Sequence, residues 1–452
     1  MADVVWGAVA LLAWALVSAR ARRWPLTMPM VLVAVGVAVS MLGPLGSDVP
    51  ESTVGLVGEV ALAVVLFGDA ARINLGALRR EGGLPVRLLL VGLPLSVVLG
   101  TGIVLGLLPE VGLAAAALVA AVLAPTDPAL GHAVVEDTSV PLRVRQALNV
   151  ESGLNDGLVL PVVLVLVALA GGTTGQQGSW PVIAAQQIGL GVLVGVVVGG
   201  LGALVLRRSV EAGWIDGVYT QLATLAVAVM SLAAAEVAGG NAFVSAFVAG
   251  LVLGGLTKRI GVHVVDYTED SGQLLTAGSF FLFGAVLLPG AVEHLTWAVV
   301  ACAVATLTVG RLVPVAVSLV GSGTRPTTVV FIGWFGPRGL ASVVFGVLLL
   351  EAEVPGADTL SAVVFLTVAL SVLVHGATAG WGALTYGRWA RATGLAEDGT
   401  VEGAAVTSTP PAAGPGGSQV GSPEGRAGRQ VCPANVPNNR EAAIRKAKEY
   451  VG

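Results

Sequence analysis

Ala124-Pro125-Thr126-Asp127-Pro128 and, one segment further on, Glu151-Ser152-Gly153-Leu154-Asn155-Asp156-Gly157 decide the architecture of this chain. Each sets an aspartate inside an apolar run: Asp127 lies between two prolines and Asp156 follows an asparagine. An ionisable side chain within hydrocarbon is costly unless a cation, a proton or cavity water compensates it, so such groups mark function. Proline inside a helix removes a backbone hydrogen bond, so the first stretch also interrupts the helix that carries it.

Around these stretches the chain reads as an all-α polytopic membrane protein. Of 452 residues 55% are hydrophobic and only 12% charged, and the mean hydropathy is +0.86; soluble domains are far richer in charge. Thirteen apolar runs recur, at about 4–19, 28–46, 53–70, 85–108, 112–134, 148–171, 182–206, 217–237, 242–256, 273–289, 295–320, 326–350 and 359–380. Their lengths suit a ~30 Å hydrocarbon core, which about 17–25 helical residues cross. The first run lacks a basic leader and is followed by Arg20, Arg22 and Arg23, so it reads as a retained span and not a signal peptide.

Basic residues fix an expected orientation. Arg72, Arg79, Arg80 and Arg87 follow run three, Arg143 and Arg145 run five, Arg207 and Arg208 run seven. Lys258 and Arg259 follow run nine, Arg325 run eleven, Arg388 and Arg391 run thirteen. Loops after even-numbered runs hold acids such as Glu110 and Glu293 but no Lys or Arg. The positive-inside rule then places the protein in the plasma membrane with its N-terminus outside and its C-terminus in the cytoplasm. Residues 1–394 form the membrane domain; 395–452, rich in Pro, Gly and Ser, read as a disordered cytoplasmic tail with helical composition from Asn439 to Val451. Cys302 and Cys432 fall in different settings and are expected to be free thiols.

Two runs cannot be plain helices. Run five carries Pro125 and Pro128; run twelve carries Gly333, Gly336, Pro337 and Gly339 around Arg338. They are the middle members of triplets 4–5–6 and 11–12–13, and an offset of seven runs turns the second triplet over. Such an inverted repeat with two discontinuous crossing helices is the sequence pointer to a midplane transport site. At ~1.5 Å per residue, Asp127, Asp156, Arg311 and Arg338 fall at similar depth. Glu151, Ser152, Asn155 and Asp156 share one broad helix face.

The ligands on offer are carboxylate, hydroxyl and freed carbonyl oxygens, with neither cysteine nor paired histidine, which suits a hard cation. The few carboxylates favour a monovalent one. A carboxylate in hydrocarbon takes up either a proton or a cation, so the two become alternatives at Asp156, and competition gives exchange. Three classes follow: a secondary antiporter of Na⁺ (or Li⁺) and H⁺; a K⁺/H⁺ antiporter or cation channel on the same fold; and an intramembrane enzyme, for which no paired-aspartate, zinc or Ser–His signature is present. No cofactor and no nucleic acid is expected beside the transported ions and membrane lipid. Asp69 and Arg72 read as an interfacial ion pair outside the site, while Glu59, His132 and His375 read as packing groups or mild pH modulators.

These motifs stand in a familiar order. With Leu66-Phe67-Gly68-Asp69-Ala70-Ala71-Arg72-Ile73, the stretch 241–251 from Asn241, and Gly336-Pro337-Arg338-Gly339, the chain over about 5–390 resembles the NhaP-type sodium/proton antiporters of the monovalent cation:proton antiporter superfamily. The resemblance implies a thirteen-span fold in which a six-helix core domain moves against a dimerisation domain, and a homodimer. It implies Asp156 as the exchanging ligand, Glu151 and Ser152 as further Na⁺ ligands, Thr126 contributing oxygen, and Asp127 as direct or water-mediated support. The Asn155–Asp156 pair resembles the electroneutral, one-for-one branch. Arg311 and Arg338 match the family's intramembrane arginines, one of which pairs with Glu151; the reading favours Arg338 beside the site, with Arg311 structural or bridging to Glu151.

Overall fold

A computed structural model describes residues 2–21, 26–42, 51–73, 83–135, 137–171, 180–257, 262–352 and 354–395. All belong to one compact unit. The expected tail beyond Leu395, with its terminal helical stretch and Cys432, lies outside the described residues.

Every regular element among the described residues is helical: α1 (Ala2–Ala21), α2 (Met28–Leu42), α3 (Glu51–Arg72), α4 (Gly83–Leu107), α5 (Leu113–Val122), α6 (Pro128–Val135), α7 (Leu142–Ala170), α8 (Trp180–Glu211), α9 (Gly217–Ala238), α10 (Ala242–Thr257), α11 (Asp266–Glu293), α12 (Trp297–Leu307), α13 (Val309–Ser318), α14 (Pro326–Trp334), α15 (Leu340–Glu351) and α16 (Ala357–Ala392). Helix is what hydrocarbon demands, since only intra-segment bonds satisfy a lipid-exposed backbone. Eight segments are long and apolar enough to cross a membrane, seven of them single helices and the eighth α12 with α13, and five shorter apolar helices accompany them. Among the described residues each of the thirteen apolar runs is wholly or partly helical. The protein is thus a multi-pass membrane protein.

The two expected interruptions are present. Helix α5 ends at Val122 and α6 begins at Pro128, with non-helical chain at 125–127; α14 ends at Trp334 and α15 begins at Leu340, with non-helical chain at 335–339. Three further irregularities lie outside those expectations. Thr308, at φ −100° and ψ −85°, separates α12 from α13. Wider π-type turns occupy Leu88–Gly92 of α4 and Phe283–Leu287 of α11.

The helices pack in two groups. One joins α1, α2, α3, α8, α9, α10 and α11; the other joins α4 to α7 with α12 to α16. The first is held by close backbone approach. Gly191, Gly195 and Gly199 lie one turn apart on α8, and an added β-carbon would stand 2.8, 2.6 and 2.6 Å from the carbonyl oxygens of Asn241, Ser245 and Ala249. Small residues at such a spacing let two membrane helices touch along their main chains. The groups meet where α3 lies against α7 and α15, where α7 lies against α8 and α10, and where α16 lies against α2 and the end of α11.

Candidate functional site

The two interruptions cross each other, and each satisfies the other's broken backbone. The Asp127 N–H donates to the Pro337 carbonyl at 2.8 Å. The Leu340 N–H, at the first turn of α15, donates to Asp127 Oδ2 at 2.8 Å. In return Arg338 Nη1 donates to the carbonyls of Ala124 and, at 2.9 Å, Pro125, just beyond the end of α5. Ser342 Oγ donates to Val122 O, on the last turn of α5, at 2.8 Å. A helix N-terminus carries partial positive charge and a C-terminus partial negative charge, so an acid on the first and an arginine on the second are each favourable. The arrangement also explains a glycine: a β-carbon on Gly339 would collide with the Asp127 carboxylate.

Against this crossing lies the polar face of α7. Asn155 Nδ2 donates to Thr126 Oγ1 at 2.7 Å, and Thr126 Oγ1 lies 2.9 Å from Ser152 Oγ. Thr126, Asp127, Glu151, Ser152, Asn155 and Asp156 are all buried, Asp156 at 6% exposure. Asn155 Oδ1 and Asp156 Oδ1 are buried acceptors without a hydrogen-bond donor. Unpaired buried oxygens cost free energy and call for an explanation.

Glu151 takes no part in that oxygen cluster. Arg311 Nη1 and Nη2 grip its two carboxylate oxygens at 2.5 and 2.8 Å, with both side chains 3% exposed. The geometry answers which arginine pairs with Glu151: each of its oxygens is engaged by a guanidinium nitrogen of Arg311. Arg311 reaches it by lying flat on Gly336, where a β-carbon would stand 2.8 Å from its Cζ. Arg338 is instead the cation of the crossing and is 1% exposed.

Other expectations shift. Arg72 pairs with Asp266 and Glu269 at the first turn of α11, not with Asp69. Asp69 faces α7, where a β-carbon on Gly153 would stand 3.6 Å from Asp69 Cβ. The sequence reading left Asp69 outside the site; its signal was an acid in an apolar run, the criterion that had found Asp156. His375 is buried on α16, and the side chain of His132 lies outside the described residues. Among the described residues no group of three or more His, Cys, Asp or Glu is placed to hold a resident metal.

Crossed, broken helices around buried acids define the inverted-repeat transporter class of membrane proteins. The sequence matches the family described as "Sodium/hydrogen exchanger, transmembrane" over residues 7–383, and the chain belongs to that family. Among curated relatives, the K⁺/H⁺ antiporter NhaP2 of Shewanella sp. (strain MR-4) is 26% identical over 369 residues, covering 80% of this chain and 63% of that protein. The chain therefore spans less than two thirds of that relative's length. The Na⁺/H⁺ antiporter ApNhaP of Aphanothece halophytica is 26% identical over 377 residues, covering 79% and 68%. The fold is similar to the sodium proton antiporter MjNhaP1 from Methanocaldococcus jannaschii at pH 8, with a TM-score of 0.68, 20% identity and coverage of 85% and 98%.

Proposed function

We propose that this protein is a secondary-active antiporter that exchanges Na⁺ (or Li⁺) for H⁺ by competition at Asp156. The observation that carries the reading is the pair of buried acceptors without donors, Asn155 Oδ1 and Asp156 Oδ1, beside the Thr126 and Ser152 hydroxyls. A dehydrated monovalent cation satisfies such oxygens; a proton on Asp156 satisfies the same carboxylate, and one excludes the other. Asp127 adds negative charge nearby while holding the crossing, and Glu151 with Arg311 braces α7 against α13. Asn155 donates to Thr126 and brings no second titrating group, so one cation exchanges for one proton and the cycle is electroneutral. The cycle runs by alternating access, with the helix group around the site moving against the group of α1 to α3 and α8 to α11. The resemblance supports a homodimer, and the distribution of basic residues supports an outside N-terminus in the plasma membrane.

A second reading, K⁺/H⁺ exchange, is favoured by the names of the Shewanella relatives. Purified protein in vesicles with an internal pH dye separates the two readings: jumps of Na⁺, Li⁺ or K⁺ are imposed in turn, and the ion that moves protons is the substrate. Folded protein that moves no protons with any of the three ions defeats antiport. Cation flux without counter-moving protons assigns the fold to a channel.

A further inference from the structure

Helix α16 carries a polar stripe that the ion site does not account for. Ser371, His375 and Thr378 lie at intervals of four and three residues, hence on one face, and that face meets the interruption between α14 and α15. The Arg338 N–H, freed from helix bonding, donates to Ser371 Oγ at 2.6 Å. His375 Nδ1 lies 3.1 Å from Ser371 Oγ and equally from Ser371 O. The same ring tilts against the Trp334 indole with ring centroids 5.5 Å apart. The indole N–H in turn donates to Thr378 Oγ1 at 3.1 Å. Trp334 closes α14, so the stripe grips both the end of α14 and the backbone of Arg338.

We propose that His375 is a positioning residue of the transport site, acting through Ser371 on Arg338; the inference rests on the antiport reading above. A neutral imidazole offers one N–H and one lone pair. With the lone pair on Nδ1, the ring accepts from the Ser371 hydroxyl, and Ser371 Oγ is left to accept from the Arg338 N–H. One directed chain results, from Arg338 through Ser371 to His375, whose ring packs on Trp334. Its free end is the Arg338 guanidinium, which sets the carbonyls of Ala124 and Pro125. Thr126, the next residue, bonds Asn155. His375 thus fixes the height of the Thr126 hydroxyl in the ion site without touching the ion.

The test compares His375→Leu, His375→Asn, His375→Gln and Ser371→Ala, each as folded, purified full-length protein in vesicles. Leu removes the acceptor; Asn keeps one at the position of Nδ1; Gln carries it one methylene further from the backbone. His375→Leu and Ser371→Ala should each raise the apparent KM for Na⁺ about fivefold, the worth of one buried hydrogen bond, with little change in maximal rate. The Leu/Ala double variant should be no worse than Ser371→Ala alone. His375→Asn should restore the KM and His375→Gln should not. A role in folding alone would lower the yield of folded protein and leave KM untouched. Hydrogen exchange gives a readout independent of transport: amides in 335–340 should exchange faster in His375→Leu than in wild type. Unchanged exchange and unchanged KM in that variant overturn the proposal, as does a double variant whose KM effects multiply. If wild type itself moves no cation, antiport has failed, and the exchange rates still decide whether His375 holds the interruption.

Discussion

The two interrupted segments use one device with opposite charges. At 123–127 the chain opens and presents an acid, Asp127, to the N-terminus of α15; at 335–339 it opens and presents an arginine, Arg338, to the carbonyls beyond α5. One break supplies oxygens facing the site through Thr126, whereas the other supplies donors, which end on the carbonyls of the first break and on Asp127. The difference shows that a broken helix is not by itself an ion site. Only the acid-bearing break meets unpaired oxygens on α7; the arginine-bearing break is a brace, tied off on Ser371 and covered by α16.

Substitutions break or sharpen that contrast. The largest effect is expected at Asp156, the partner of the acid-bearing break: Asp156→Asn should reduce cation-driven proton flux to background while the protein still inserts and folds, because an amide neither carries the proton nor balances the cation. Full flux in this variant would sink the competition mechanism. Next comes the Glu151–Arg311 pair between α7 and α13. Glu151→Gln leaves Arg311 buried without its carboxylate, a loss on the order of 3–5 kcal/mol, readable as a large drop in thermal stability in detergent. Asp69→Asn should leave stability unchanged, because Asp69 has intermediate exposure and is not the partner of Arg72. Equal destabilisation by both substitutions would show that the pairing at Arg311 is not structural.

Within the crossing the effects are smaller. Asp127→Asn keeps an oxygen for the Leu340 N–H but gives up a charge at a helix N-terminus, about 0.5–2 kcal/mol, so melting should fall slightly and Na⁺ affinity further. A stability loss matching that of Glu151→Gln would place Asp127 with the Glu151–Arg311 pair and not with the site. The smallest response is expected from voltage. If Asn155 adds no charge and one cation replaces one proton, a potential clamped with K⁺ and valinomycin at zero pH gradient should leave Na⁺ uptake unaltered. Acceleration by the potential would show net charge moving in each cycle. Acid on the Na⁺ side should instead raise the apparent KM for Na⁺ in near proportion to proton concentration, with less effect on maximal rate.

How much of this was legible in the sequence depended on how local the cause was. Pro125, Pro128 and the Gly-Pro-Arg-Gly stretch at 336–339 break a helix through their own covalent structure, so the interruptions were readable. Asn155 and Asp156 on one helix face followed from helical periodicity. What periodicity does not encode is which of two arginines at similar depth reaches Glu151: that depends on the offset at Thr308 and on Gly336 leaving room for a guanidinium, both tertiary facts. The two π-type turns had a signal of the same kind as the interruptions, which the sequence reading passed over: Pro94 and Pro289 each follow a turn by two residues and cannot bond the carbonyl four residues back. Asp69 was misplaced because its neighbour in sequence, Arg72, suggested a local partner, whereas Arg72 pairs across to α11.

The glycine seam between α8 and α10 has a thermodynamic side. Helices in a bilayer are already formed before they associate, so the backbone freedom of Gly191, Gly195 and Gly199 has been surrendered at insertion, and what remains to lose on docking is rotamer freedom. Glycine has none. The seam can therefore close without freezing a side chain on α8, and its strength should vary less with temperature than that of contacts built from long side chains.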